Sequence, residues 1–352
     1  PGDLVVHQMD GFAGAIGISD SKGKSTPVYT VIEPDGKTHL RYVVYLLREM
    51  ARSGKITSLA KSIRQRSTEF KWEMWSSTKF PFPPLPEQTA IANYLDEKTT
   101  QIDSLIEKIQ RKIELLKEQR TALINQAVTK GLDPNVEMKD SGVEWIGEIP
   151  DHWSRIRMKN VMSPLGGRST TGDEELLSVT IHEGVIARSD YVGIDEEYLS
   201  RADTLVGYKL VRENNLVNNI MKMGFRCLGV SRYDGIVSPA YSVFELSESK
   251  VSPDYINYLL RIDLYVSEYK KRSKGIQESR MRLYDDYFLA IDVAIPPLRE
   301  QQHISNYLDH KTQQIDSTIE KETQRIELLN EYRQSLISNV VTGKVRVVEE
   351  VA

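Results

Sequence analysis

The chain is written twice. Pro83-Pro84-Leu85-Pro86-Glu87-Gln88 returns as Pro296-Pro297-Leu298-Arg299-Glu300-Gln301, a shift of 213, and the match runs without a gap to Val128-Thr129 and Val341-Thr342. Over these windows 29 of 47 positions are identical. Upstream the likeness continues at a shift of 212, where Leu4-Val5, Met9, Gly17, Ser19, Gly23, Pro27, Tyr29 and Val31 align with Leu216-Val217, Met221, Gly229, Ser231, Gly235, Pro239, Tyr241 and Val243. A duplication of this kind requires one structural unit built twice, each copy a variable globular part followed by a well-matched part. Residues 153–212 have no counterpart ahead of Pro1. The sequence therefore reads as starting inside its first repeat, with a first globular part expected to be incomplete and to expose strand edges at Leu4-Val5-Val6 and at residues 28–32.

The well-matched parts read as long helices. Ile106, Ile109, Ile113, Leu116, Arg120, Leu123 and Ala127 follow alternating steps of three and four, the seam of a coiled coil. The second copy gives Ile315, Ile319, Glu322, Ile326, Leu329, Arg333, Leu336 and Val340. Proline opens each helix and Gly131 or Gly343 closes it, the usual punctuation. Such a helix of roughly 42 residues would be about 60 Å long. Two seams in one chain can bury each other, so the expected fold is α+β: two globular domains separated by two long helices that form an antiparallel intramolecular coiled coil.

In the globular parts, Leu216–Asn219, residues 227–231 and Tyr241–Leu246 read as strands. Residues 253–271 read as one helix that Ser252 or Asp254 could cap, and Val43, Tyr45, Leu46 and Leu47 can pack as a helix in the first copy. The segment after Gly131 is polar and rich in Gly and Pro, which suggests a linker. The expected division is 1–82 first domain, 83–131 first helical spacer, 132–150 linker, 151–294 second domain, 295–345 second spacer and 346–352 tail.

Little in the sequence suggests catalysis. Gly23-Lys24-Ser25-Thr26 ends like a phosphate-binding loop, but the glycine needed five positions earlier is Ile18. His182-Glu183 has no second histidine at helical spacing, Cys227 is alone, and no glycine-rich cofactor loop follows a strand. No catalytic residue, metal or cofactor is expected. No apolar run approaches the roughly 18 residues of a membrane span, and a reducing cytoplasm fits the single cysteine.

Thr129-Lys130-Gly131-Leu132-Asp133-Pro134-Asn135-Val136, Met138-Lys139-Asp140-Ser141-Gly142 and Trp145-Ile146-Gly147-Glu148-Ile149-Pro150-Asp151-His152-Trp153 closely resemble the specificity-subunit family of Type I restriction-modification systems. So do both Pro-Pro-Leu-x-Glu-Gln starts, followed by Tyr94-Leu95-Asp96 and Tyr307-Leu308-Asp309. The resemblance spans essentially the whole chain. It implies a non-catalytic subunit with two target-recognition domains, each reading half of a split site in double-stranded DNA. It also implies that DNA methyltransferase subunits bind the helices and that a restriction/translocase subunit joins the complex. Family members open with a stretch like residues 145–159 and a complete first domain, which is absent here. The alternative reading is a structural coiled-coil scaffold without DNA specificity.

A net charge of −4 does not favour nucleic acid, yet the charges are unevenly spread. Residues 48–71 hold seven Lys/Arg against two Glu, and residues 261–282 hold seven against three acids. Such basic clusters suit phosphate contact, while Arg, Asn and Gln can match base edges. The candidate DNA-binding residues are Lys222, Arg226, Lys270, Lys271, Lys274, Gln277, Arg280 and Arg282, with Arg64, Gln65 and Arg66 in the first repeat. Each helix also carries more apolar positions than one seam uses. Ile91, Tyr94, Leu105 and Leu115, with Ile304, Tyr307 and Leu328, are the surplus expected to face methyltransferase subunits.

Overall fold

The computed structural model describes residues 1–59, 70, 72, 76, 78–80, 82–190, 204–275 and 281–347. In chain order the first repeat gives β1 (Leu4–His7), β2 (Ile16–Ile18), β3 (Tyr29–Ile32), α1 (Leu40–Arg52), α2 (Lys55–Leu59) and α3 (Leu85–Lys130). Next come β4 (Met138–Asp140), β5 (Glu148–Pro150), β6 (Ser154–Arg157), β7 (Met162–Pro164), β8 (Leu177–Val179), β9 (Val185–Ala187), β10 (Lys209–Val211), β11 (Leu216–Asn219), β12 (Leu228–Val230), β13 (Gly235–Val237) and β14 (Tyr241–Leu246). The chain then forms α4 (Pro253–Leu259), α5 (Asp263–Arg272), α6 (Asp285–Leu289), β15 (Asp292–Ile295) and α7 (Leu298–Val341). The fold is α+β. It divides into one unit of residues 1–115 with 318–352 and another of residues 116–317, so each unit takes part of both long helices.

The repeat is visible strand by strand. In the first unit β1 is the centre of an antiparallel sheet ordered β2-β1-β3. In the second, β11 lies between β12 and β14 in the order β12-β11-β14-β7. Leu4-Val5-Val6 is therefore an inner strand with Leu4 and Val6 buried, not the exposed edge expected from sequence. Hydrogen bonds on both sides of β1 satisfy the backbone that an edge would leave open. At the outer side the two sheets differ. β14 is flanked by β7, whereas β1 is the one strand that pairs with β3 among the described residues. Val31 on β3 is 47% exposed, while Val243 at the matching place is 1% exposed because it packs in a smaller core with Leu177 and Val185.

β11 is buried on both faces because side chains alternate along a strand. Leu216 enters the main core of the second unit with Trp153, Phe244, Tyr255, Tyr265 and Phe288, and Val217 enters a smaller core with Leu177, Val185, Cys227 and Val243. Asn218 points to the same face as Leu216 and is fully buried, and neither amide atom has a hydrogen-bond partner among the described residues. Its repeat partner is Val6, at home in the apolar core of the first unit. An unpaired buried amide costs about 1–3 kcal/mol, so Asn218→Val is expected to raise unfolding stability by about 1–2 kcal/mol. Chemical denaturation checks this, and a loss of stability would mean that the amide has an essential partner.

The seam positions read from sequence are all buried or half-buried on α3 and α7. Within the first unit Asp103 meets Arg333 at 3.4 Å and Lys112 meets Glu322 at 2.6 Å. Numbers rise on one helix as they fall on the other, so this pairing is antiparallel. In the second unit Arg120 pairs with Asp316 at 2.9 Å. A shift of 213 converts Arg120–Asp316 into Arg333–Asp103, so one charge pair is used twice.

The same repetition joins each domain to its long helix. Gln88 accepts from the His39 amide at 3.0 Å and donates to the Pro83 carbonyl at 2.8 Å. Gln301 accepts from the Ser252 amide at 2.8 Å and donates to the Lys250 and Pro296 carbonyls, each at 2.9 Å. Tyr45 donates to Asp96 at 2.9 Å, as Tyr258 does to Asp309 at 2.7 Å. Burial, and then the Asp309 carboxylate opposed by Thr312, raises the Tyr258 hydroxyl pKa to about 12. The expected cap is not formed: no side chain caps α4, and Gln301 instead holds the amide of Ser252, the residue before the helix. The single helix read over 253–271 is two helices, broken at residues 260–262.

The polar segment read as a linker is ordered. β4 and β5 form an antiparallel hairpin, with Ile149 and Trp153 buried in the main core of the second unit and Trp145 edge-on to Tyr265 at 5.2 Å.

Candidate nucleic-acid interface

Two basic segments that are far apart in sequence meet on one surface of the second unit. The first is the turn after β11, where Met223–Phe225 forms a single 3₁₀ turn. The second is the end of α5 and the strand-like pair after it. Gly224 lies so close to Lys270 that an added Cβ would sit 2.9 Å from its Cγ, so only a residue without a side chain allows this approach. The Lys270 ammonium lies 5.8 Å from the Phe225 ring centre. Lys274 and Arg282 exchange two backbone hydrogen bonds of 2.9 Å, and the Leu283 amide donates to the Ile220 carbonyl at 2.9 Å. These bonds bring the two segments together.

Lys222, Lys270, Lys271, Lys274 and Arg282 are exposed there, and Arg226 is half-buried. Gln277, Arg280, Arg64, Gln65 and Arg66 lie outside the described residues. Sequence reasoning did not single out the exposed Met221, Tyr284 and Tyr287. Lys274 stands over Tyr287 with its ammonium 5.2 Å from the ring centre. An aromatic residue on the short α6 beside a basic segment was the available signal. Ammonium groups beside exposed rings are a chemistry that suits phosphate contact together with base or sugar contact.

Arg226 occupies the left-handed backbone region at φ +65°, where the first repeat has Gly14 at φ +84°. A side chain there costs about 1–2 kcal/mol. Arg226 also forms an ion pair with Asp263 across an exposed surface. Strain kept at a basic residue points to use. Arg226→Gly is therefore expected to keep or slightly raise stability, by at most about 1 kcal/mol. Thermal melting checks this, and a clear loss of stability would mean that the Arg226 side chain contributes more to the fold than its backbone strain costs. The matching turn of the first unit, Gly11–Ala13, carries Asp10, Ala13 and Gly14 where the second has Lys222, Phe225 and Arg226, so the two surfaces differ in charge and shape.

The surplus apolar residues of the long helices fall into three groups. Ile91 and Ile304 are only 6% and 0% exposed and belong to the domain cores. The expectation that they face outward is corrected, because the first turns of α3 and α7 are roofed by the globular parts. Tyr94 and Tyr307 pack partly against those cores, each with a lysine over its ring, and Leu105 is half-buried. Leu115 and Leu328, repeat equivalents, are 49% and 64% exposed.

No protein-family model matches the chain. It is 25% identical over 286 residues to the Type I restriction enzyme MjaVIII specificity subunit of Methanocaldococcus jannaschii, covering 78% of this chain and 64% of that protein. In sequence the chain is similar to Type I restriction enzyme specificity subunits. A second protein of the same organism, a Type I restriction enzyme MjaX specificity subunit by name, is 24% identical over 87% of this chain and 68% of its own length. The chain thus spans about two thirds of the length of these relatives. The fold is that of the HsdS subunit from Thermoanaerobacter tengcongensis, with a TM-score of 0.59 at 14% identity over 98% of this chain and 81% of that one. Among the described residues no helix is long and apolar enough to cross a membrane.

Proposed function

We propose that this chain is the DNA-sequence specificity subunit of a Type I restriction-modification enzyme, without a catalytic site of its own. Its ligand is double-stranded DNA with a split target, and its partners are DNA methyltransferase subunits and a restriction/translocase subunit. The observation that supports this best is the convergence of Lys222, Arg226, Lys270, Lys274 and Arg282 around Phe225 and Tyr287, in a duplicated chain whose matching turn carries different side chains. A scaffold without DNA specificity has no need of such a divergent pair of surfaces on matching folds. The lysines at 222, 270, 271 and 274 supply affinity for any duplex, and Gln277, Arg280 and Arg282 carry the base contacts. Mapping methylated bases in cells that express the chain with its cognate methyltransferase tests the reading. Modified sites should share one interrupted sequence, and their absence would overturn it.

Methyltransferase docking uses apolar positions of the long helices, led by the exposed Leu115 and Leu328, with the partly buried Tyr94, Leu105 and Tyr307 as further members of the set. Leu115→Glu combined with Leu328→Glu should cut co-purification with the methyltransferase by at least tenfold while leaving the helical content unchanged. Co-purification at the original level would remove these leucines from the docking surface.

A further inference from the structure

One cleft is built into each unit from the same residues. In the second unit it encloses about 460 Å³ and is lined by Arg120 and Ile124 of α3, by Tyr258, Arg261 and Asp309, and by the neighbouring Arg226, Arg232, His182, Glu183 and Asp254. In the first unit it encloses about 510 Å³ between Arg333 and Ile337 of α7 and Tyr45, Arg48, Glu49 and Arg52 of α1. A shift of 213 maps Arg333 to Arg120, Ile337 to Ile124, Tyr45 to Tyr258 and Arg48 to Arg261. The clefts are thus duplicates, whereas the turns beside them differ at Asp10 and Lys222, Ala13 and Phe225, and Gly14 and Arg226.

The retained arginines share a geometry. Arg48 donates from Nε to the Ile16 carbonyl at 2.8 Å. Arg261 donates to the carbonyl of Leu228, the repeat partner of Ile16, and to those of Ile181 and His182. Neither guanidinium faces a carboxylate within ion-pair distance among the described residues. Burial, then the like charge of Arg226, lowers the Arg261 pKa to about 10, which leaves it protonated at neutral pH. On the other wall Arg120 and Arg333 are tied by one hand to Asp316 and Asp103, and the Arg333 Nε has no hydrogen-bond partner among the described residues. Counting lining charges, the first cleft has three arginines against Glu49, and the second four against Glu183, Asp254 and Asp309. Both are positive.

We propose that each cleft holds a backbone phosphate of the DNA duplex, so that the long helices take part in gripping DNA through Arg120 and Arg333. This rests on the DNA-recognition role proposed above. Two domains that read different bases still meet the same sugar-phosphate backbone, so residues for phosphate contact can be retained in both repeats while base-reading residues diverge. Arg48, held through Nε alone, keeps its terminal nitrogens for an anion, and Arg261, held through both terminal nitrogens by three carbonyls, adds a fixed positive charge at the same place in the other cleft. An acidic segment of a protein partner is the competing occupant. The clefts lie beside the Lys222–Arg226 turn in one unit and its counterpart in the other, which favours DNA.

The test uses the full chain assembled with its methyltransferase subunits and a duplex of unrelated sequence, titrated over a range of salt. Arg120→Gln with Arg333→Gln should weaken binding at low salt at least tenfold and flatten the log–log salt slope by about 2, near 0.9 for each phosphate that is no longer neutralised. Arg120 and Arg333 are partly exposed, and their loss could also act by loosening the helix pair. Asp316→Asn with Asp103→Asn removes the same ion pairs but frees the arginines, and should leave the slope unchanged or steepen it. Equal loss in both double variants would make the arginines structural and overturn the proposal. So would an unchanged slope in the arginine variant, and so would an unchanged slope together with failed methyltransferase co-purification, which would assign the clefts to an acidic protein segment. Failure of the recognition role itself reads out separately, as an unmodified chain with a normal salt slope on this duplex but no preferred sequence.

Discussion

Trp153→Ala is expected to destabilise the chain by about 3–5 kcal/mol, the range for truncating a large buried aromatic. The indole is 1% exposed and lies in the main core of the second unit with Val128, Ile149 and Ile304. Its Nε1 donates to Glu300 Oε1 at 3.1 Å, while His152 holds the other oxygen of the same carboxylate at 2.7 Å. The ring edge lies 3.6 Å from the Cβ position of Gly131, at the end of α3. One side chain thus packs against the close of α3, the start of α7 and the hairpin between them. Alanine would leave a cavity at that junction and an unpaired carboxylate oxygen. Trp153→Phe keeps most of the packing and loses the hydrogen bond, so its loss should be nearer 1–2 kcal/mol. Urea unfolding followed by circular dichroism measures both. A loss below about 1 kcal/mol for alanine would mean that the junction is not held by this residue.

Gln301→Ala should cost about 2–4 kcal/mol. The side chain is fully buried and its amide makes three hydrogen bonds, to the Ser252 amide and the Lys250 and Pro296 carbonyls. Removing it leaves the amide of Ser252, the residue just before α4, without a partner in a place water does not reach, and an unsatisfied donor costs more than a bond is worth. Gln88→Ala removes two bonds at the equivalent position and should cost less. Thermal melts of the two variants give the order directly. If Gln301→Ala left stability unchanged, the glutamine of the repeated Pro-Pro-Leu-x-Glu-Gln motif would have to serve something other than the join between domain and helix.

The long helices and the central strands were legible in the sequence because each rests on a period that one chain carries twice. The seam at steps of three and four named the buried faces of α3 and α7, and Leu216–Asn219 and Tyr241–Leu246 were placed by their β-branched and apolar runs. What the sequence hid depended on contacts between distant segments. Ile91 and Ile304 look like surplus on a helix wheel, and only the domains folding over the first turns of α3 and α7 bury them. The hairpin of β4 and β5 looks like a polar linker because its packing rests on a few residues, Trp145, Ile146 and Ile149 within it and Trp153 just after it. The break in 253–271 follows no glycine or proline. At the candidate interface the basic residues were legible one by one, but the approach of residues 222–226 to Lys270 depends on the missing side chain of Gly224. The retained Arg–Tyr clefts were written into the repeat alignment and became recognisable as clefts only in three dimensions.

The most direct measurement is selection of bound sequences from a pool of random DNA duplexes, using the full chain assembled with its methyltransferase subunits. The expected result is enrichment of two short sequence elements separated by a gap of constant length and free composition. Enrichment of no sequence, or of one uninterrupted element, would contradict the account of this chain as a reader of a split site.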